Sequence, residues 1–402
     1  MMSTFRATLF SIMLTVFAGA TPVRAAPAMP ERLSDVQRSG EIFHARACPE
    51  PQQPGLARCH ARIVTDAEGR PIELVASSAP PRGYSPASLQ AAYKVDPTSG
   101  SQTTVVAVVD AYGYPNAESD LAVYRATFGL PACTSANGCF AVYNQSGTKS
   151  GFPAPVLGWE KETALDLNMV SAMCPNCRIV LVEANSAYLT DLAASVNTAA
   201  SLGAHVITSS YGGSESGTQS FESSYNHPGV AVTVSTGDVG YGVEFPASSP
   251  HVIATGGTSL RLANGTARGW TETAWRYGGS GCSAIYPKPS WQTDIRCTHR
   301  MEADVSAVSD PSTGVAVYAP ASQGGSAWQV FGGTSVAAPL IGGVYGANGG
   351  SVHGGDTYNN RSALFDIVTG SNGSCGGIYF CIAQPGYDGP TGLGSPNGTS
   401  AF

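Results

Sequence analysis

Ser335 sits in the run Phe331-Gly332-Gly333-Thr334-Ser335-Val336-Ala337-Ala338-Pro339, where glycines give way to two hydroxyl residues and then to small apolar ones. The glycines allow a tight turn and close approach of another backbone. The apolar run predicts a helix starting at the serine, and a helix start favours nearby negative charge. These features suit a nucleophile, but a serine hydroxyl needs a base. The seven histidines, His44, His60, His205, His227, His251, His299 and His353, include none in a Gly-Thr-His turn at a helix start. His205 lies in an apolar strand and reads as a core residue, while His44 and His60 belong to an N-terminal extension. Carboxylates fit better. Trp159-Glu160-Lys161-Glu162-Thr163-Ala164-Leu165-Asp166 puts Glu162 and Asp166 four residues apart, on one face of a predicted helix. Two solvated surface charges would give this spacing. So would a pair sharing a proton, since like charges at i, i+4 otherwise destabilise a helix. Asp238, in Ser235-Thr236-Gly237-Asp238-Val239-Gly240, closes a valine-rich run. It reads either as a turn residue or as a site group at the carboxyl end of a strand.

The elements that must position these groups alternate. Residues 103–110, 178–183, 205–210, 229–235 and 314–319 are short valine- and isoleucine-rich runs, predicted as strands buried on both faces. Residues 116–128, 159–173 and 190–202 predict helices, the last stopped by Gly203. The fold class expected is α/β, with a mostly parallel central sheet and helices on both faces. Residues 83–402 form the expected main domain, with a loop-rich tail after Asp366. Residues 26–82 read as a short pro-segment or extension and residues 1–25 as a signal peptide. That signal has a basic Arg6, an apolar run from Leu9 to Ala20 and small residues at Val23-Arg24-Ala25. The apolar run is short for a membrane anchor, the other reading.

Export agrees with ten cysteines that fall as near neighbours, Cys48/Cys59, Cys133/Cys139, Cys174/Cys177, Cys282/Cys297 and Cys375/Cys381. Five local disulfides are the simplest reading. Cys174-Pro175-Asn176-Cys177 also fits a redox pair or half a zinc site, although no second Cys-x-x-Cys accompanies it. Net charge is -7 with only 12% charged residues, scattered, which speaks against a nucleic-acid partner. The chain is expected outside the cell or in the periplasm, as a monomer with no membrane or nucleic-acid partner.

Taken in order, four segments resemble the sedolisins, serine-carboxyl peptidases with a subtilisin-like fold. They are Glu162-Thr163-Ala164-Leu165-Asp166; Ser235-Thr236-Gly237-Asp238 followed by Phe245-Pro246-Ala247-Ser248-Ser249-Pro250; Gly333-Thr334-Ser335-Val336-Ala337-Ala338-Pro339; and Asp366-Ile367 with Gly386-Tyr387-Asp388. Ser209-Ser210-Tyr211-Gly212 is similar to the family's substrate-lining stretch, with tyrosine in place of tryptophan, and hints at an apolar or aromatic pocket. The resemblance implies a peptidase acting on protein or peptide substrates. Ser335 would be nucleophile, Glu162 general base, Asp166 its orienter and Asp238 an oxyanion-hole donor. Such a donor works only while protonated, so hydrolysis is expected to peak at roughly pH 3 to 5. The resemblance also implies one structural calcium ion, held by Asp366, the carbonyls of Ile367 and Gly386, and Asp388. Gln384 stands where the family usually has glycine, and the segment before the catalytic region is far shorter than the family's prodomain. Two other readings stay open. One is a histidine-dependent, subtilisin-like peptidase using Asp110 in Val108-Val109-Asp110-Ala111. The other is a catalytically silent exported binding protein on the same fold.

Overall fold

The computed structural model describes residues 1–2, 32–74, 81–350 and 355–402, so the signal-peptide segment lies outside the described residues beyond its first two. Strands β1 (Gln37–Ser39), β2 (Ile42–Arg46), β3 (Arg58–Cys59) and β4 (Arg62–Thr65) come first, then helix α1 (Pro86–Tyr93). The chain continues through β5 (Val105–Ala111), α2 (Ala117–Thr127), β6 (Phe140–Asn144), α3 (Leu157–Met173), β7 (Arg178–Ala184), α4 (Leu189–Ser201), β8 (Val206–Ser209), β9 (Tyr211–Gly212) and β10 (Ala231–Ser235). Strands β11 (Ile253–Leu262), β12 (Trp270–Ala274), β13 (Gly281–Pro287), β14 (His299–Glu302), β15 (Val305–Val308), β16 (Val315–Pro320) and β17 (Ser326–Gly332) lead into helix α5 (Thr334–Ala347).

The main sheet has the order β12-β11-β10-β8-β5-β7-β6, with β15 also on β11. Every pairing is parallel except β11–β12. All seven residues of β5 and all five of β10 are buried, as apolar strands covered by helices on both faces must be. The subtilisin-like α/β expectation holds. One strand differs from it: Val315–Pro320 lies outside the parallel sheet. It pairs antiparallel with β17, the last in a five-stranded ladder β1-β2-β4-β17-β16. Strands buried on both sides read alike whichever sheet receives them. The N-terminal segment, which shows little periodicity, supplies the other half of that ladder. All five local disulfides are present, the Cys174–Cys177 bridge included.

Helix α5 is apolar on all sides and buried from Thr334 to Gly346, which makes it a core helix rather than a surface one. Its glycines let it lie close to its neighbours. A Cβ at Gly343 would stand 2.7 Å from Met173 Cβ on α3, and one at Gly346 would stand 2.7 Å from Val106 Cγ2 on β5. Close packing thus seats the C-terminal half of α5 against both α3 and the sheet. Gly343→Ala should destabilise the fold. Alanine's better helix propensity gains about 1 kcal/mol, but overpacking between two rigid backbones costs about 1–3 kcal/mol. A lower denaturation midpoint in urea is the expected result.

Candidate active site

The start of α5, helix α3 and the loop after β10 meet around Ser335. Gly333 caps α5 with φ +95°, a conformation that favours glycine, and Ser335 is the helix's second residue. The hydroxyl is fully buried and donates to the Ser210 carbonyl at 3.4 Å. It lies close enough to the Glu162 carboxyl to favour its ionised form, and Glu162 Oε1 is buried with no hydrogen-bond partner.

Glu162 and Asp166 are not surface charges. Both lie on α3 at 0% exposure, facing the sheet. Burial pushes the Glu162 carboxyl well above its ordinary range and Asp110 raises it further, against the Ser335 hydroxyl and the Ala61 N–H, which donates at 2.8 Å. Asp166 is likewise raised by burial, then by Asp110 and Glu162, with the Ser210 hydroxyl opposing. Asp110, near the end of β5, is pushed up to about 7 by burial, with a Thr163 hydroxyl opposing. Three carboxyls therefore share one dry site. Their mutual repulsion and lost solvation are relieved by keeping protons.

Asp238 follows β10 through Thr236 and Gly237. Its Oδ1 accepts from the Thr334 N–H at 2.8 Å and from the Thr334 hydroxyl at 3.0 Å. The same hydroxyl accepts from the Gly237 N–H at 3.0 Å, which clamps the Asp238 loop to the start of α5. Its Oδ2 lies 3.3 Å from Arg62 Nε. Burial raises the Asp238 carboxyl despite Arg62, His60 and the Thr334 donors.

The N-terminal segment runs through this site. Its β3 pairs antiparallel with β9, the Tyr211–Gly212 stretch, and the Cys48–Cys59 bridge holds β3 from behind. Arg62 then donates to the Asp238 carbonyl at 2.9 Å. His60 is the histidine that enters the site, but its ring nitrogens contact Ser235 Oγ at 2.7 Å and Glu244 Oε2 at 3.0 Å.

The chain is similar to known proteins in sequence and fold. A subtilase family model matches residues 142–347. Kumamolisin of Bacillus sp. (strain MN-32) is 30% identical over 385 residues, covering 85% of this chain and 67% of the relative. Sedolisin of Pseudomonas sp. (strain 101) is 33% identical over 203 residues, covering 42% of this chain but only 33% of the relative. A solved Pseudomonas sedolisin complexed with pseudo-iodotyrostatin superposes with a TM-score of 0.65 at 25% identity, covering 79% of this chain and 96% of that one. The chain belongs to the sedolisin family of serine-carboxyl peptidases.

In this sedolisin the four tail positions also come together. The Gly386 N–H donates to Asp366 Oδ2 at 2.9 Å, and the Gln384 N–H to Asp388 Oδ2 at 2.9 Å. Thr391 bonds both Asp388 Oδ1, at 2.8 Å, and the Ile367 carbonyl, at 3.4 Å. Among the described residues no group of three or more His, Cys, Asp or Glu side chains forms a metal cluster. The corner offers two carboxylates and backbone carbonyls, a donor set for a hard cation. Asp388 is pushed up to about 7 by burial, with Asp366 adding to it, and neither carboxylate has an ion-pair partner among the described residues.

Asp110, Thr334, Arg62 and Glu244 went unassigned as site residues of this arrangement in the sequence. Asp110 alone had a visible signal, its place at a strand end. Between about pH 4 and 7 the folded chain holds protons on Asp110 and on Glu183, each pushed up to about 7 mainly by burial, and a proton shared by the Glu162–Asp166 pair, which leaves that pair one open acceptor. The unfolded chain has released them, so stability falls as pH rises. Buried His44, lowered to about 4 chiefly by desolvation, acts the opposite way below about pH 6.5. These carboxyl protons outweigh one imidazole. The melting temperature at pH 4.5 should exceed that at pH 7.5 by about 5 °C or more, as calorimetry would show.

Proposed function

We propose that this chain is an exported acid serine endopeptidase. The observation that carries the reading is the fully buried Glu162, its proton affinity raised by burial and by Asp110, beside the Ser335 hydroxyl at the start of α5. Glu162 takes the Ser335 proton as the hydroxyl attacks the scissile carbonyl, and returns it to the leaving amine. Asp166 orients Glu162 and shares its proton load. Asp238, protonated, donates to the developing oxyanion beside the Ser335 N–H, where the α5 N-terminus adds its partial positive charge. Water then releases the acyl group from Ser335. Asp110 acts as a positioning residue behind the pair and keeps protons available to it.

A calcium ion fits Asp366, the Ile367 and Gly386 carbonyls and Asp388. It would supply the positive charge that buried Asp388 lacks and would pin the loop-rich tail. Five disulfides favour an oxidising compartment, and no helix of the described residues is long and apolar enough to cross a membrane.

Hydrolysis of a denatured protein should peak at roughly pH 3 to 5 and fade towards neutrality as Asp238 ionises. Ser335→Ala and Glu162→Gln should each lower the rate by about 10³-fold or more, measured by release of new amino termini at pH 4. Undiminished cleavage by Ser335→Ala, or a maximum above pH 7, would overturn the reading. Chelation at pH 7 should lower the melting temperature by several degrees. Asp388→Asn should remove that response.

A further inference from the structure

A cavity lies where the N-terminal ladder meets the edge of the main sheet, and its walls are basic. Arg38 reaches it from β1, Arg261 from β11 and Arg276 from the segment just after β12. Only 21 of the 402 residues are lysine or arginine and the net charge is -7, so three guanidiniums around one hollow reverse the charge of the chain locally. None of the three has an ion-pair partner among the described residues. The carboxylate that also lines the cavity, Asp310, already has donors. Its Oδ2 accepts from the Ser259 hydroxyl at 2.7 Å and its Oδ1 from the Ser312 N–H at 2.9 Å. It offsets one positive charge and leaves the excess of the other two.

Aromatic contacts hold two of the cations. Arg276 lies over the Tyr277 ring at 4.8 Å and Arg38 over the Phe43 ring at 5.6 Å. Ser259 and Arg261 alternate along β11 and so share one face of it. The Ser312 hydroxyl, with no partner among the described residues, adds a neutral donor. The space is about 210 Å³, smaller than a pocket for a drug-sized ligand and suited to a small ion with some water. Planar guanidinium forks match the oxygens of carboxylate and phosphate groups, and they stay charged throughout the pH range. A carboxylate ligand loses its charge around pH 4, whereas a phosphate or sulfate group keeps at least one. Arg38 belongs to the ladder, and Arg261 and Arg276 to the main-sheet side. Like charges facing across that seam repel, and an anion between them turns the repulsion into a bridge.

We infer that this cavity binds one small tetrahedral oxyanion, a sulfate or a phosphate group, between Arg38, Arg261 and Arg276, and that the anion bridges the N-terminal ladder to the main sheet. The preference for a tetrahedral anion over a carboxylate rests on the acid range of the peptidase reading; the site itself does not.

Calorimetric titration of the full chain at pH 4 with sodium sulfate and with sodium phosphate, at ionic strength held constant with sodium chloride, reads the site directly. One ion should bind per chain. At about 10 mM it should raise the melting temperature by a few degrees and slow amide exchange over β1 and β2. Sulfate also stabilises proteins by exclusion from their surface, but that effect acts on every variant alike. Combined Arg261→Gln and Arg276→Gln should lower the affinity by at least about tenfold, while Arg296→Gln, outside the cavity, leaves it unchanged. Arg38→Gln alone should also weaken binding, which keeps the test decisive if the double variant unfolds. Glycerol 3-phosphate separates two sources of the same group: tighter binding than inorganic phosphate assigns a phosphate ester, weaker binding a free ion. No saturable heat from either salt, or equal heat from the variants that lack the arginines, would overturn the inference. Acetate binding at pH 4 as tightly as sulfate would overturn the choice of anion. Cleavage that depends on Ser335 is measured separately, so none of these failures is a failure of the peptidase reading.

Discussion

The structure is organised around a cost, the burial of several carboxyls in one dry place. Asp110, Glu162 and Asp166 come from β5 and α3 and meet beneath Ser335 with essentially no solvent access. Coulomb repulsion between such groups is strong where water is excluded, so they are tolerable mainly as a partly protonated set. That single constraint links chemistry to stability. In the peptidase reading proposed above, the partial protonation that keeps the cluster folded also leaves one carboxylate open to accept the Ser335 proton. A histidine base would place the working range near neutrality and would leave the neighbouring carboxyls without a reason to be buried together.

Rigidity makes this burial usable. Ser335 does not stand on a mobile loop but on the first turn of a core helix packed by glycines against α3 and the sheet. Thr334 then ties that turn to Asp238 from the next strand end. The helix that carries the hydroxyl and the helix that carries the carboxyls are therefore in direct contact, and the site geometry is set by backbone packing. A methyl group added at Gly343 would press on Met173 of α3, the helix that carries Glu162, and one at Gly346 on Val106 of β5.

Much of this was legible in the sequence, for identifiable reasons. Long apolar strands and helices between glycines give an unambiguous period, so β5, β7, β8, β10 and α2 to α4 were readable to within a residue or two. The Glu162–Asp166 spacing and the Gly-Thr-Ser turn carried the chemistry. Other features were not readable. The strand Val315–Pro320 looks the same in a parallel or an antiparallel sheet, because pairing partners are not encoded locally. The N-terminal strands are short, and β4 is held by partners more than 250 residues away in sequence. Glu244 has no local pattern at all, since its meaning comes from His60 and Arg58, which are remote in the chain. Tyr211 suggested an apolar or aromatic pocket; its ring is buried against Tyr225 instead, and a carboxylate faces the cleft.

Arg58, His60 and Arg62 do carry a signal once they are seen as a strand. Alternate residues of an extended chain face the same side, so two arginines and a histidine share one face towards the floor of the cleft. Opposite them lie the buried carboxyls of Glu244 and Asp238. The segment and the cleft therefore neutralise each other along their whole shared length, and its two pleat-opposed residues serve other ends. Cys59 anchors the strand through its disulfide, and Ala61 offers only a backbone N–H to Glu162.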